Sequence, residues 1–132
     1  MISRPKMSAP TKWLVDMGLL TGKVLDFGCG YGEDADVLGW DKYDPETFPQ
    51  NYGKYERILC QYVLNTLPIS EENAVLDDLR THLKSGGIAY IVVRRDVKQD
   101  GVTSKGTYQR TVMLDLPSVH RTKWYEIYQI SK

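Results

Sequence analysis

The chain has few cysteines, no net charge and no long apolar run, and each shortage excludes a class of protein. Two cysteines in 132 residues are too few for a disulfide framework, so Cys29 and Cys60 are predicted to be thiols of a reducing compartment. Seventeen basic and seventeen acidic residues cancel, so a broad phosphate-binding face is not indicated, although a local patch stays open. No run approaches membrane-spanning length and no signal peptide is recognised, which predicts a soluble, cytoplasmic protein.

The remaining composition fits one globular unit. The chain is 42% apolar and 26% charged, which is ordinary for a soluble protein. Residues 1–132 are therefore predicted to form a single domain with one core. No metal site is expected, because His82, near the end of a predicted helix, and His120, in a predicted turn, lack partner ligands.

The most informative stretch is Val24-Leu25-Asp26-Phe27-Gly28-Cys29-Gly30-Tyr31-Gly32. An apolar run that stops at glycines is typical of a buried parallel strand entering a loop, where glycine lets the backbone approach a ligand. The residues alone leave open a nucleotide-containing cofactor or a purely structural turn. The dinucleotide fingerprint G-x-G-x-x-G has a different spacing.

This stretch resembles the first motif of class I S-adenosylmethionine (AdoMet)-dependent methyltransferases, and the match from Val24 to Gly32 is complete. The resemblance implies AdoMet as cofactor and an α/β, Rossmann-like fold whose mostly parallel sheet has antiparallel edge strands. It implies methyl transfer to an acceptor, a nucleic acid or a small molecule, that the sequence does not identify. There are two alternatives. One is a non-catalytic AdoMet-binding module, regulatory or dependent on a partner, and the other is an enzyme that uses AdoMet or a nucleotide for a different reaction.

The segment Gly39–Asp44 resembles the Gly-x-Asp at the end of the family's second strand, where an acid accepts hydrogen bonds from both ribose hydroxyls. A carboxylate suits two vicinal donors. Spacing from Gly39 assigns this role to Asp41, with Asp44 as the reserve. Ordinary turn acids before a proline are the alternative for both.

The resemblance also implies which residues form the site. Arg57–Pro68 resembles the family's fourth strand and the segment after it, and the carboxyl end of that strand faces the ligand. The residues predicted to bind the cofactor are Asp26, Phe27, Gly28, Cys29, Gly30, Gly32, Asp41, Lys42, Gln61 and Tyr62. Tyr62, Asn65 and Arg95 are predicted to lie near the methyl acceptor, with a turn or capping role as the alternative for Asn65.

The pattern predicts further elements around this site. A helix is expected from Ser8, as cap, to Gly18, and another from Ser70, with an apolar stripe through Leu83, to Lys84. A strand follows at Ile88–Val93, and segments 107–114 and 123–130 are predicted to be an antiparallel pair. Residues 97–107 are expected to be either a mobile lid, with Arg95 and Lys105 on the acceptor, or a plain surface loop.

The chain departs from the family in length. Only residues 33–38 separate Gly32 from Gly39, and residues 45–56 leave no room for the family's third strand and its helix. A shortened class I methyltransferase fold is the prediction, and it also resembles small methyltransferase-like proteins of phages and mobile elements. A partner subunit or a homodimer is left open.

Overall fold

The computed structural model describes residues 8–28, 38–44 and 53–132. Two helices lie wholly within these residues, α1 (Ala9–Asp16) and α2 (Glu72–Thr81), with 3-10 turns at Leu64–Thr66 and Ile69–Glu71. Its strands are β1 (Val24–Phe27), β2 (Asp41–Tyr43), β3 (Tyr55–Gln61), β4 (Leu83–Arg94), β5 (Gly101–Val102), β6 (Tyr108–Gln109), β7 (Ser118–Arg121) and β8 (Tyr125–Ser131). Within this described part, no helix has both the length and the apolarity that crossing a membrane requires.

Six strands form one sheet in the order β2-β1-β3-β4-β8-β7. The pairs β1/β2, β1/β3 and β3/β4 are parallel, whereas β4/β8 and β7/β8 are antiparallel. The predicted Rossmann-like sheet, mostly parallel with an antiparallel edge, is confirmed. Because β1 to β4 run the same way, their carboxyl ends meet at one edge of the sheet.

A helix covers each face of the sheet. On one face Leu14 of α1 is fully buried against a cluster that includes Leu59 and Ile127. On the other face Leu76 and Leu79 of α2 enter the larger cluster. Strands covered on both faces need apolar side chains at successive positions, which explains the continuous apolar run Ile88–Val93 in β4.

The second helix is shorter than the sequence predicts. It begins at Glu72, after the 3-10 turn, and no side chain caps it, so the cap predicted at Ser70 is wrong. Leu83, which is 1% exposed, belongs to β4 and pairs with Tyr55. The apolar stripe predicted for the helix included Leu83 because a leucine is buried in the same way whether it belongs to the helix or to the strand that follows it.

The antiparallel pair predicted for 107–114 and 123–130 is wrong in its first member. Only Tyr108–Gln109 forms a strand there, and it pairs with β5 in a separate two-stranded sheet. The hairpin partner of β8 is β7. Alternating side chains at 108–112 indicate an extended chain but not which strand it pairs with.

Both histidine rings pack against aromatic side chains. His82 is at the end of α2 as expected, it is 7% exposed, and its ring packs on Phe27 and Tyr43. His120 lies in β7, not in a turn, and stacks on Trp13 with ring centroids 4.0 Å apart. This stack connects α1 to the antiparallel edge of the sheet.

Candidate functional site

The carboxyl ends of β1, β3 and β4 place Gly28, Tyr62 and Arg95 along one edge of the sheet. Phe27 pairs with Cys60, and Gln61 pairs with Val92, so the three strands end at similar levels. In open parallel sheets this edge is where ligands bind. The predicted cofactor residues Cys29, Gly30 and Gly32 lie outside the described residues.

Gly28 makes the turn that leaves β1. Its φ is +73°, and its N–H donates to the Tyr43 carbonyl oxygen at 2.7 Å. A Cβ at this position would overlap Cγ2 of Val63, the residue after Tyr62. Both the backbone conformation and the close approach therefore require glycine, and the turn is packed against the segment that follows β3.

We expect Gly28→Ala to destabilise the protein more than Gly39→Ala does. Gly39 also has a positive φ, +72°, but nothing lies within 4 Å of a Cβ added there. Gly39→Ala should cost about 1 kcal/mol for the left-handed backbone alone. Gly28→Ala should cost roughly 1–3 kcal/mol more, because it also overpacks Val63.

Urea unfolding of the two variants measures this difference. Val63→Ala removes the methyl group that the new Cβ would meet, so the double variant should recover most of the excess loss. Equal losses at positions 28 and 39 would show that the contact with Val63 imposes no constraint.

The structure contradicts the placement predicted for Asp41. Asp41 pairs with Leu25 at the start of β2, and it accepts a hydrogen bond from the Tyr55 hydroxyl at 2.7 Å. It is three residues, about 10 Å along a strand, from the carboxyl edge. The reserve candidate Asp44 directly follows Tyr43, whose carbonyl accepts from Gly28, and so lies at the correct edge. Lys42, also predicted to contact the cofactor, pairs with Asp26 inside the sheet.

Gln61 ends β3 and anchors the amino end of α1. Its Oε1 accepts hydrogen bonds from the hydroxyls of Ser8, at 2.9 Å, and Thr11, at 2.7 Å. The Ser8 hydroxyl thus contacts the sheet and the Thr11 hydroxyl of α1, but it does not cap a backbone N–H of the helix, whose amino end has no side-chain cap. As a result, the amino end of α1 is held at the same edge as the turn at Gly28.

Tyr62 is held in an unusual backbone conformation directly after β3. It is the one non-glycine residue with positive φ, +60°, in the described part of the chain. Its N–H donates to the Val92 carbonyl oxygen at 2.9 Å. Burial raises the pKa of the phenol, so the ring is neutral at physiological pH and its hydroxyl can donate a hydrogen bond. Strained residues of this kind cluster at functional sites.

Asn65 is fully buried and joins three segments. Its side-chain nitrogen donates to the Arg110 carbonyl oxygen at 2.7 Å, and its side-chain oxygen accepts from the Arg94 N–H at 2.7 Å. The side chain thus holds the end of β4 against the chain that follows β6. This geometry favours a positioning role, and direct contact with the acceptor stays a prediction.

Arg95 is directed into the protein. Its guanidinium donates to Glu126 Oε1 at 2.6 and 2.9 Å, to the Val112 carbonyl oxygen and to the Tyr128 hydroxyl. The Arg95 and Glu126 side chains are only 6% and 7% exposed. The predicted contact of Arg95 with the acceptor is untested, but these bonds favour a structural role.

Sequence reasoning missed the carboxylate that neutralises Arg95. Burial alone would raise the pKa of Glu126, but hydrogen bonds from Ser118 and Arg95, together with the charge of Arg95, hold it below the ordinary value. A signal was present, because Glu126 is the one charged residue of β8 and lies between Tyr125 and Ile127. A charge in such a strand needs a buried partner.

Sequence reasoning also missed two adjoining pockets at this edge. The larger one, about 690 Å³, is lined by residues 96–104 together with Arg94 and Gln109. The smaller one, about 300 Å³, is lined by Tyr62, Thr66, Arg94, Asp96, Gln109 and Trp124. Arg94, Asp96 and Gln109 line both pockets, so the two adjoin. Tyr62 is the only residue lining these pockets that was predicted as a site residue. The other lining residues come from segments that are far from Tyr62 in the sequence.

Comparisons with known proteins identify the fold. No protein-family model and no curated protein matches the chain. A structure that records the conversion of a disulfide bond into a thioacetal group during echinomycin biosynthesis matches with a TM-score of 0.62 and 14% identity, over 94% of this chain and 80% of that one.

Two methyltransferases match in the same way. The 1,6-didemethyltoxoflavin-N1-methyltransferase of Burkholderia thailandensis, with bound S-adenosylhomocysteine, has a TM-score of 0.61 and 15% identity, over 92% of this chain and 75% of that one. Magnesium protoporphyrin IX methyltransferase of Synechocystis PCC 6803, also with bound S-adenosylhomocysteine, has a TM-score of 0.55 and 17% identity. The match covers 94% of this chain and 80% of that one. The chain has the fold of the class I AdoMet-dependent methyltransferases. These matches give no support to the resemblance to phage proteins.

Proposed function

We propose that the protein is an AdoMet-dependent methyltransferase. One observation carries this proposal. The turn at Gly28 and the carboxylate of Asp44 lie side by side at the carboxyl edge of the sheet. The Gly28 N–H donates to the Tyr43 carbonyl oxygen, and Asp44 follows directly, so a tight glycine turn and a carboxylate lie on neighbouring strands. Two carboxylate oxygens suit the two ribose hydroxyls of AdoMet.

The residues at this edge have limited tasks in such a reaction. Bound AdoMet supplies a methyl group on a positively charged sulfur, and the bonding pair returns to sulfur when an acceptor takes the methyl group. The chain then needs to bind both molecules and hold the acceptor in line. Tyr62, neutral and fixed by its backbone bond to Val92, is the residue best placed to orient the acceptor.

Asp96 is a charged group that lines the same pocket as Tyr62. The hydrogen bond from Arg94 holds the pKa of this carboxyl below its ordinary value, against the opposing effect of burial. Asp96 is therefore an anion at neutral pH and a weak base. It can orient an acceptor N–H or O–H, and a proton released in the reaction passes more readily to water.

A non-catalytic AdoMet-binding module is the other candidate. Such a module needs the cofactor site but no space for an acceptor. The pockets beside Tyr62, at the same edge as Gly28, favour the enzyme.

Two measurements test the proposal. Calorimetry should detect binding of AdoMet and of S-adenosylhomocysteine, and tritiated AdoMet should label a component of a small-molecule extract in the presence of the protein. The heat-inactivated protein is the control. Binding without transfer to metabolites, DNA, RNA or protein would favour the module, and a lack of binding would refute both candidates.

A further inference from the structure

We propose that Arg110 is a positioning residue for the methyl acceptor, because its ion pair with Glu72 holds residues 96–109 in place as one wall of the two adjoining pockets. Residues 96–109, which contain β5 and β6, are called the hairpin segment below. This inference rests on the proposed function and adds a residue that acts on the acceptor only through the hairpin segment.

The hairpin segment contributes to both pockets. Residues 96–104 and Gln109 line the larger pocket. Asp96 and Gln109 also line the smaller pocket, together with Tyr62 and Thr66, which follow β3. The smaller pocket therefore exists only while the hairpin segment stays beside the chain that follows β3.

Little burial holds the hairpin segment in place. None of residues 96–109 is buried, and Val102 is 72% exposed. Within the described part of the chain, one hydrogen bond joins residues 97–109 to other segments, and it runs from the Thr111 N–H to Asp100 Oδ1 at 2.8 Å. A segment with so few buried contacts depends on the contacts at its two ends.

Both ends of the hairpin segment are tied to Asn65. The Asn65 side chain accepts from the Arg94 N–H and donates to the Arg110 carbonyl oxygen. The Arg110 N–H donates in turn to the Asn65 carbonyl oxygen at 2.9 Å. Asn65 and Arg110 are 0% and 4% exposed, so these bonds close the base of the hairpin segment in buried surroundings.

The Arg110 side chain connects this base to α2. Its guanidinium donates to the Leu67 carbonyl oxygen at 2.6 Å and to Glu72 Oε1 at 3.0 Å. The Arg110 and Glu72 side chains are 5% and 15% exposed, so solvent and salt screen the pair little. Gln109 directly precedes Arg110, and it is the last residue of the hairpin segment that lines the pockets. Of the mobile lid and the surface loop that the sequence leaves open, these bonds favour neither and indicate a fixed wall.

Hydrogen exchange of the ¹⁵N-labelled chain, followed by NMR, tests the inference. Arg110→Met keeps an aliphatic side chain but removes both side-chain hydrogen bonds. The amides of residues 110 and 111 are bonded at the base and report its opening. They should exchange roughly tenfold to a hundredfold faster than in wild type, because the closed hairpin segment loses hydrogen bonds from a charged group.

Glu126→Gln is the matched control, because Glu126 also neutralises a buried arginine but lies in β8. Its partner Arg95 lies outside the hairpin segment, so this change destabilises the closed and the open hairpin segment equally. Exchange should become faster at Ile91 and Val92, in the core of the sheet, and stay unchanged at residues 110 and 111. NMR spectra establish that each variant is folded.

A milder variant keeps the test decisive if Arg110→Met does not fold. Glu72→Gln removes only the charge of the partner and should speed exchange at residues 110 and 111 by about fivefold. Two results would overturn the inference. One is faster exchange in β4 without a change at residues 110 and 111 in the Arg110 or Glu72 variant, because Arg110 would then support the core alone. The other is an equal effect of Glu126→Gln on residues 110 and 111.

Transfer of the tritiated methyl group to the small-molecule extract gives the functional result. Labelling should fall by about tenfold or more in Arg110→Met, because a small displacement of the pocket wall misplaces the acceptor. The affinity for AdoMet should stay within about twofold, since no hydrogen bond of Arg110 reaches the turn at Gly28. Labelling equal to that of wild type would overturn the inference. An absence of labelling by wild type would refute the proposed enzyme, and the exchange rates would still decide whether Arg110 holds the hairpin segment.

Discussion

Asp44→Asn is expected to weaken AdoMet binding by roughly tenfold to a hundredfold, whereas Asp41→Asn should leave it nearly unchanged. A hydrogen bond to a charged group is worth about 1.5–3 kcal/mol, and the ribose would lose such bonds at Asp44. Asp44 follows β2 at the edge that carries Gly28, while Asp41 lies at the other end of the strand. Calorimetric titration of the folded variants gives the two affinities.

Asp41→Asn is the matched control for this experiment. It makes the same chemical change on the same strand, and the amide oxygen can still accept the hydrogen bond from Tyr55. A larger loss at position 41 than at position 44 would mean that AdoMet does not bind at the carboxyl edge of β2. Equal small losses would place the ribose away from β2 altogether.

Glu126→Gln is expected to lower the free energy of unfolding by roughly 3–5 kcal/mol at pH 7, because it leaves a buried arginine without its counter-ion. The Glu126 carboxylate accepts from Arg95 at 2.6 Å and from Ser118 at 2.5 Å. The amide can accept some of these hydrogen bonds but cannot neutralise the charge. Urea unfolding of the two proteins measures the difference.

The difference in the free energy of unfolding between wild type and Glu126→Gln should depend on pH. The pKa of Glu126 is lower in the folded protein than in the unfolded chain, so its stabilisation is fully present above the unfolded value, about 4.3. That stabilisation is lost as the pH falls through the folded value. The stability gap between wild type and Glu126→Gln should therefore narrow on acidification from pH 7 to pH 3.

An exposed ion pair supplies the control for Glu126. Lys12 and Asp16 form a bond of 2.7 Å, but their side chains are 63% and 58% exposed. Asp16→Asn should change stability by less than about 0.5 kcal/mol, because water and salt screen such pairs. A loss at Glu126 as small as that at Asp16, or a gap that does not change with pH, would contradict the structural role of the Arg95–Glu126 pair.

Much of the fold was predictable because its signals are local. The apolar runs around Leu25, Leu59 and Ile91 predict buried strands, and the glycines after Phe27 predict the turn at their end. A buried strand needs consecutive apolar residues wherever it lies, and a tight turn needs glycine wherever it occurs. The resemblance to methyltransferases depends on the same short stretch, so it too could be recognised from the sequence. The shortening predicted around residues 33–38 and 45–56 lies largely outside the described residues and stays a prediction.

The register of β2 could not be read in this way. Asp41 and Asp44 are both acids near a glycine, and only the pairing of Phe27 with Tyr43 shows which one reaches the carboxyl edge. A strand can slide along its neighbour without changing its own sequence pattern, so spacing from Gly39 was insufficient. Hydrogen bonds between strands set the register, and they are tertiary contacts.

The sequence by itself determined the glycine turn, the buried strands and, through them, the class of fold. Tertiary structure alone decided what the polar side chains do. It directs Arg95 to Glu126 and Asn65 to Arg110, and it brings Tyr62, Gln109 and Trp124 to one pocket. Apolar burial follows from composition along a single segment, whereas Arg95 and Glu126 are 31 positions apart and Asn65 and Arg110 are 45 apart. The role of such a polar side chain therefore appears only when the chain is folded.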